Sequence, residues 1–141
     1  MESSIAQIPT FTLSSGHAMP MIGLGTDGIQ DPQIIARAII ELGYRTIDTA
    51  SRYKNEETVG KAIKMAAGVS REELFVITKV WIDEVEDVEG ACRRSLEKLG
   101  LQQVDLYLLH WPIAVREVEW DEAKNPTRFE KIKIPVHKIW P

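Results

Sequence analysis

Short runs of apolar residues alternate with longer segments of helical spacing along this chain, and this alternation constrains the fold most strongly. The strand-like runs are MIGLGT at 21–26, YRTIDTA at 44–50, LFVITKVW at 74–81 and VDLYLLHW at 104–111. The last three have no polar alternation, which is typical of parallel strands covered on both faces. Alternating strands and helices build βαβ units, so the sequence predicts an α/β fold with a parallel sheet.

Capping residues mark where the helices between these runs begin. Asp31 followed by Pro32 predicts the start of the first helix. Asn55 is expected to cap the second helix, and the third is expected to run from about Asp87 to Leu99. Three helices therefore connect the four strands.

The segments on either side of this repeat have a different character. FTLSSGHAMP at 11–20 predicts a hairpin before the first strand, with Gly16 near its turn. From 116 to 141 the chain is rich in charged residues and contains three prolines, so it is expected to be a long loop of the same single domain, 1–141.

Two architectures fit four parallel strands, an open doubly wound sheet and part of a barrel. No GxGxxG motif follows the first strand, so the dinucleotide fingerprint of the doubly wound fold is weak. A complete (β/α)8 barrel normally needs about 250 residues. If the chain is a barrel, its 141 residues are half of one.

Composition argues against several classes of function. The chain has 17 basic and 21 acidic side chains and a formal charge of −4, which makes nucleic acid a poor partner. Its one cysteine, Cys92, has no internal partner and no zinc-type spacing, which favours a reducing compartment such as the cytoplasm. The N-terminus lacks a signal-like apolar stretch, and Asp105 and His110 interrupt the most apolar run, so neither secretion nor membrane insertion is expected.

Three ionisable residues stand at equivalent places near the ends of apolar strands. They are Asp48, Lys79 and His110, and 31 residues separate each from the next. Each could be a polar strand end that meets solvent. Because parallel strands end at one rim, where barrel enzymes carry their active sites, the three are instead expected to converge.

Such a cluster predicts acid and base chemistry. A lysine and an aspartate withdrawn from water on adjacent strands need each other as partners, so Lys79 and Asp48 are expected to pair. Tyr53 follows Asp48 by five residues and is expected to lie over that pair. A nearby ammonium lowers the pKa of a phenol from about 10, which makes it a usable proton donor. With His110 orienting an oxygen atom, the site suits chemistry on a carbonyl group, with no metal cluster.

The same residues lie in segments that resemble a known family. GYRTIDTASRYKNEETVG at 43–60 closely resembles the first signature of the aldo-keto reductases, with Thr46 as its one departure. ITKVW at 77–81 and LYLLHWP at 106–112 match two further segments of that family, and the similarity runs from about residue 8 to 140. The resemblance implies a (β/α)8 barrel, represented by its N-terminal half: the hairpin, four strands and three helices. In this family, 116–141 would lead into a fourth barrel helix that the sequence lacks.

The resemblance also implies NADPH-dependent reduction of aldehydes or ketones to alcohols by hydride transfer. Position by position, Tyr53 resembles the general acid, Lys79 and Asp48 the pair that activates it, and His110 the group that orients the substrate. The positions implied near the nicotinamide ribose are Gly25, Thr26 and Asp48. The positions implied along the substrate pocket are Asp27, Trp81, His110 and Trp111. Many members of the family have tryptophan where this chain has Asp27, so a more polar pocket wall is expected.

Most of the family's cofactor-binding apparatus lies in segments that follow the last residue of this sequence. Three explanations remain open: a fragment of a longer enzyme, a shortened product that pairs with its own copy, or a non-catalytic relative acting as a structural or binding module. The edges and apolar surface of a half barrel favour self-association.

Overall fold

The computed structural model describes residues 8–117 and 129–134, and a parallel sheet of four strands lies at its centre. In chain order the strands and α-helices are β1 (Thr10–Thr12), β2 (Ala18–Pro20), β3 (Gly23–Gly25), α1 (Pro32–Glu41), β4 (Thr46–Asp48), α2 (Glu56–Met65), β5 (Phe75–Val80), α3 (Val88–Leu99), β6 (Leu106–Leu109), β7 (Ala114–Glu117) and β8 (Phe129–Ile132). Short 3₁₀ turns cover Ser51–Tyr53, Arg71–Glu73 and Val85–Asp87. The predicted alternation of strands and helices is confirmed.

The four central strands pair in the order β3, β4, β5, β6, and every pair is parallel. One row of the sheet joins Gly25 to Asp48, Asp48 to Ile77 and Ile77 to Leu106. The predicted hairpin forms from β1 and β2, which pair antiparallel, and Gly16 adopts a φ of 85° in its turn. Each strand of the sheet therefore lies beside its neighbour in sequence.

The three helices cover one face of the sheet and form its main core. This core buries Ile47 and Val76 from the strands together with residues from all three helices: Ile35, Ile39, Val59, Ala62 and Leu99. Because side chains alternate along a strand, Asp48 and Ile77 face the opposite side. One face of the sheet therefore packs against the helices, and the opposite face carries side chains such as those of Asp48 and Ile77.

The close packing of α2 on α3 depends on a glycine. A Cβ atom added to Gly60 would lie 2.2 Å from the backbone oxygen of Leu99. Gly60 is buried in the middle of α2, where glycine weakens a helix by about 1 kcal/mol relative to alanine. The absence of a side chain allows the two backbones to approach.

Two of the expected helix caps have different outcomes. The prediction for Asp31 is confirmed, because its Oδ1 accepts a hydrogen bond of 2.9 Å from the backbone N–H of Gln33. The prediction for Asn55 is wrong in its chemistry. Asn55 occupies the N-cap position of α2, but its side chain makes no capping bond because it bonds to other loops instead.

The expected loop after residue 116 is wrong for the part that the structure describes. β7 and β8 pair antiparallel, with Arg116 opposite Glu130. Arg116 also forms two hydrogen bonds to Glu86, of 2.9 and 2.6 Å. Opposite charges on facing strands stabilise a hairpin, so a charged sequence need not be a loop. The rest of the predicted loop, at 118–128 and 135–141, lies outside the described residues.

None of the helices in the described ranges is long and apolar enough to cross a membrane.

Candidate active site

Asp48, Lys79 and His110 converge at the carboxyl edge of the parallel sheet. Asp48 ends β4, Lys79 is the second-last residue of β5, and His110 directly follows β6. Asp48 pairs in register with Ile77, and Lys79 pairs with Leu108. Lys79 therefore lies two positions beyond the register partner of Asp48, and His110 lies two positions beyond the register partner of Lys79. A shift of two keeps side chains on the same face, so all three lie opposite the helices.

The ammonium group of Lys79 is the centre of the cluster. Its Nζ forms a close ion pair with Asp48 Oδ1 and donates a 3.0 Å hydrogen bond to the backbone oxygen of Thr49. Its third contact is the phenol oxygen of Tyr53, at 3.4 Å. The Lys79 side chain is only 12% exposed, whereas that of Asp48 is 38% exposed. Burial of an ammonium group is costly unless it is paired, and these three contacts satisfy all of its hydrogens.

Tyr53 reaches this cluster from the turn between β4 and α2. It is the last residue of the 3₁₀ turn Ser51–Tyr53, and Lys54 follows in the left-handed region with a φ of 54°. The Tyr53 ring lies 5.0 Å from Lys79 Nζ and meets the His110 ring edge-on, with 5.5 Å between ring centroids. The phenol thus lies between the ammonium group and the imidazole.

His110 is packed between two aromatic rings, because Trp81 also meets it edge-on at 5.0 Å. Burial lowers the pKa of His110 below its usual 6.5, and the charge of Lys79 lowers it further, against smaller opposing effects of Asp48 and Asp27. The imidazole is therefore neutral at pH 7. Its Nδ1 is buried and has no hydrogen-bond partner among the described residues. A neutral imidazole carries one N–H that can orient an oxygen atom.

The three residues expected near the nicotinamide ribose differ in accessibility. Gly25 is exposed, and no atom lies within 4 Å of the place where a Cβ would stand. The carboxylate of Asp48 is partly exposed beside it. Thr26 is fully buried, and both its N–H and its hydroxyl donate 3.0 Å hydrogen bonds to the backbone oxygen of Asp48. The Thr26 side chain therefore supports Asp48 and does not face the open edge.

The residues expected along a substrate pocket lie in different surroundings. Trp81 contacts His110 on one side, and the guanidinium carbon of Arg52 lies 5.3 Å from its ring centroid. Asp27 is exposed. Trp111 is 55% exposed and lines an apolar groove of about 500 Å³ beside β7 and β8. The structure thus brings Trp81 to the cluster and places Trp111 at the neighbouring groove.

Two buried polar residues next to the cluster were not identified from the sequence as site residues. The Asn55 amide nitrogen donates to the backbone oxygens of Thr26 and Ile29, at 2.6 and 3.0 Å, and its Oδ1 accepts from the hydroxyl of Thr49 at 3.0 Å. Glu56 Oε1 accepts a 2.7 Å hydrogen bond from Thr78. The polar run KNEE resembles an ordinary turn and helix start, so the only signal in the sequence was its proximity to Tyr53.

Within 8–117 and 129–134, no group of three or more histidine, cysteine, aspartate or glutamate residues could hold a metal ion. The cluster instead combines a phenol, an ammonium–carboxylate pair and a neutral imidazole beside an open edge. Such a set can donate a proton to an oxygen atom bound there and stabilise the phenolate that remains.

Comparison with known sequences gives matches to one family. A sequence model described as the Aldo/keto reductase family matches residues 22–125. Methylglyoxal reductase DkgA of Yersinia pestis is 50% identical over 106 residues, which are 74% of this chain and 38% of that protein. An aldo-keto reductase of Mycobacterium tuberculosis is 48% identical over 115 residues, which are 79% of this chain and 40% of that protein.

Solved structures give the same result for the fold. An aldo-keto reductase of Bombyx mori, crystallised in complex with NADP, superposes with a TM-score of 0.71 and 43% identity over 78% of this chain and 40% of that chain. An aldo/keto reductase of Brucella melitensis gives 0.70 and 41%, over 75% of this chain and 42% of that chain. These superpositions confirm that the sheet and helices form part of a (β/α)8 barrel. The chain spans about two fifths of the length of these proteins.

Proposed function

Because this chain belongs to the aldo/keto reductase family, we propose that its site reduces the carbonyl group of a small aldehyde or ketone to an alcohol, with NADPH as the hydride donor. The observation that carries this proposal is the position of Lys79, whose Nζ contacts both the Asp48 carboxylate and the Tyr53 phenol. A phenol held against an ammonium group suits proton donation, because the positive charge stabilises the phenolate that proton transfer leaves behind.

The residues at the open edge fit the nicotinamide end of such a cofactor. Gly25 leaves free space over the end of β3, and the Asp48 carboxylate beside it is accessible to a ribose hydroxyl. We propose that these two residues hold the ribose and that Thr26 keeps Asp48 in place. Bound NADPH supplies a hydride to the carbonyl carbon. The Bombyx mori relative, crystallised in complex with NADP, supports NADP(H) as the cofactor.

The chain's own residues supply the proton. As the carbonyl carbon gains a hydride, its oxygen gains negative charge, and we propose that Tyr53 Oη transfers its proton to that oxygen. The Lys79 ammonium group, 3.4 Å away, stabilises the phenolate that remains, and Asp48 fixes the position of Lys79. The neutral imidazole of His110 donates a hydrogen bond that orients the carbonyl oxygen. One hydride and one proton together convert the carbonyl to an alcohol.

For the substrate, we propose a small polar oxoaldehyde, with methylglyoxal as the compound to test. Three curated relatives at 50% identity carry the name methylglyoxal reductase or putative methylglyoxal reductase. The exposed carboxylate of Asp27 makes this side of the site polar, which suits a small hydrophilic substrate better than a bulky apolar aldehyde.

The test is a fluorescence titration with NADPH followed by an activity assay, on protein whose intact mass confirms all 141 residues. NADPH is expected to quench the tryptophan fluorescence in a saturable manner, and methylglyoxal is expected to cause loss of NADPH absorbance. Tyr53→Phe is expected to lower kcat by roughly 100-fold or more, because general acid catalysis contributes that much. Its affinity for NADPH should change less than twofold.

Tyr44→Phe is the matched control, since it removes a phenol hydroxyl away from the cluster, and its kcat should equal that of the wild type. Full activity of Tyr53→Phe would refute the assignment of the acid. Absence of NADPH binding would refute the proposed activity for this chain.

A second candidate function is that of a self-associating structural or binding module. It is favoured by the outer strands of the sheet, β3 and β6, neither of which pairs with a further strand among the described residues. Leu108, Trp111 and Ile113 near β6 are also exposed. Sedimentation velocity over a range of concentrations, combined with the NADPH titration, separates the candidates. A stable oligomer that binds no NADPH would favour the module, and a species of any size that binds NADPH and turns over methylglyoxal would favour the enzyme.

A further inference from the structure

Asn55 is a buried polar side chain next to the cluster, with 1% exposure. Both hydrogens of its amide nitrogen are donated in hydrogen bonds, one to the backbone oxygen of Thr26 and one to that of Ile29. The amide oxygen faces the hydroxyl of Thr49. Because the nitrogen faces only acceptors and the oxygen faces a donor, the side chain has one chemically sensible orientation. Two of its partners lie 29 and 26 residues earlier in the chain, and the third, Thr49, directly follows β4.

Two of these partners, Thr26 and Thr49, are themselves bonded to the cluster. Thr26 holds the backbone oxygen of Asp48 through two 3.0 Å hydrogen bonds. The backbone oxygen of Thr49 accepts a 3.0 Å hydrogen bond from Lys79 Nζ. Asn55 therefore connects the loop after β3 to both members of the ion pair, although it touches neither of them.

Asn55 also holds one end of the segment that carries Tyr53 in place. This segment begins at Ala50, which is fully buried, and ends at Asn55, two residues after Tyr53. Within it, Tyr53 N–H bonds to the oxygen of Ala50, and Lys54 turns the chain through a left-handed conformation. Among the described residues, the Tyr53 phenol has one hydrogen bond, the 3.4 Å contact with Lys79, and its ring meets that of His110 edge-on. Because these contacts of the side chain are few, the places where the two buried ends of the segment are held contribute to its position.

We propose that Asn55 is a positioning residue, which fixes the distance between the Tyr53 phenol and the loop after β3 where the nicotinamide ribose is proposed to bind. Its role in turnover rests on the proposed function, whereas its role in placing Tyr53 does not. A helix cap would have bonded to the first turn of α2, and the Asn55 side chain makes no such bond. The geometry therefore supports a link between loops and not a local cap.

The test uses Asn55→Asp, which keeps the shape of the side chain and removes both N–H donors. The new carboxylate would face the backbone oxygens of Thr26 and Ile29 and repel them, so the loop should move. NMR of the free protein with ¹³C-labelled tyrosine reports this directly, with Tyr53 identified by loss of its signal in Tyr53→Phe. We expect the Tyr53 ring signal to move by several line widths in Asn55→Asp, while those of Tyr44 and Tyr107 stay in place.

A matched core variant separates this effect from general loss of stability. Ile39→Val removes one buried methyl group from the core under α1, far from the cluster, and should leave the Tyr53 signal unchanged. If Asn55→Asp does not fold, Thr49→Val takes its place, because it removes one hydroxyl and keeps the backbone oxygen that Lys79 binds. It should move the same signal by a smaller amount. An unchanged Tyr53 signal in the folded variant, or an equal change in Ile39→Val, would overturn the proposal.

Kinetics provide the second readout. In protein that turns over methylglyoxal, Asn55→Asp is expected to lower kcat by roughly 10- to 100-fold, because small displacements of a catalytic group have effects of this size. The KM for methylglyoxal should change less than threefold, and Ile39→Val should change neither constant. A rise in KM with unchanged kcat would contradict a role in placing Tyr53. If the wild type binds no NADPH while the Tyr53 signal moves as expected, the proposed function fails and the placement of Tyr53 by Asn55 stands.

Discussion

Replacement of Gly60 by alanine should destabilise this protein, although alanine is the better helix former. In an exposed helix the change would add about 1 kcal/mol of stability. In α2 the new Cβ would lie 2.2 Å from the oxygen, 2.7 Å from the carbonyl carbon and 3.0 Å from the Cα of Leu99. All three are backbone atoms, so no side-chain rotation can relieve the clash.

The size of the effect follows from these distances. Ordinary van der Waals contact begins at 3.4 Å, so the middle of α2 and the C-terminal end of α3 must separate by about 1 Å, the difference between the required and the available distance. Overpacking of this kind typically costs about 1–3 kcal/mol, and a backbone clash belongs at the upper end of that range. After the helix preference of alanine is subtracted, a net loss of about 2 kcal/mol remains.

Urea denaturation followed by circular dichroism measures this loss. With a slope of about 2 kcal/mol per M urea, the midpoint should fall by about 1 M. Lys61→Ala, at the adjacent exposed position, is the control and should change the free energy of unfolding by less than about 0.5 kcal/mol. A midpoint for Gly60→Ala equal to or above that of the wild type would refute the close approach of the two helices.

Two further predictions concern single side chains. Because the pKa of His110 is lowered in the folded protein, the stability from its neutral form is fully present above the unfolded value of about 6.5 and is lost as the pH falls through the lowered pKa. The free energy of unfolding of the wild type minus that of His110→Gln should therefore decrease from pH 7 to pH 5 in urea titrations, and a constant difference would contradict the burial effect. Asp31→Ala should lower stability by about 1 kcal/mol through loss of the α1 cap, whereas Asp31→Ser should retain most of it; equal losses in the two variants would count against the cap.

The sequence alone was sufficient to predict a contact where the two partners lie close together in the chain. The Asp31 cap uses an N–H two residues away, and the left-handed end of α3 at Gly100 is an equally local feature. The equal spacing of Asp48, Lys79 and His110 predicted their convergence, because a regular βα repeat brings strand ends to one edge. The roles of these residues came from the family resemblance and remain proposals.

The sequence alone was insufficient to predict a contact where the two partners lie far apart in the chain. Asn55 was expected to cap a helix, since nothing nearby in the sequence indicates the oxygens of Thr26 and Ile29 as its partners. The β7–β8 hairpin was missed for a similar reason, because charged residues that pair across strands cannot be distinguished by composition from charged residues in a loop. Gly60 appears as a weakness of α2 until the backbone of Leu99 is known to lie against it.

The sequential order of the four central strands also bears on how the protein folds. Register partners are 29 residues apart both from Asp48 to Ile77 and from Ile77 to Leu106. Closure of a loop of that length costs about 3 kcal/mol of chain entropy beyond a constant, so the two steps face nearly equal barriers from this source. The sheet can grow strand by strand in chain order. Docking of β5 on β4 brings Lys79 to Asp48, and only the later docking of β6 brings His110 beside Tyr53.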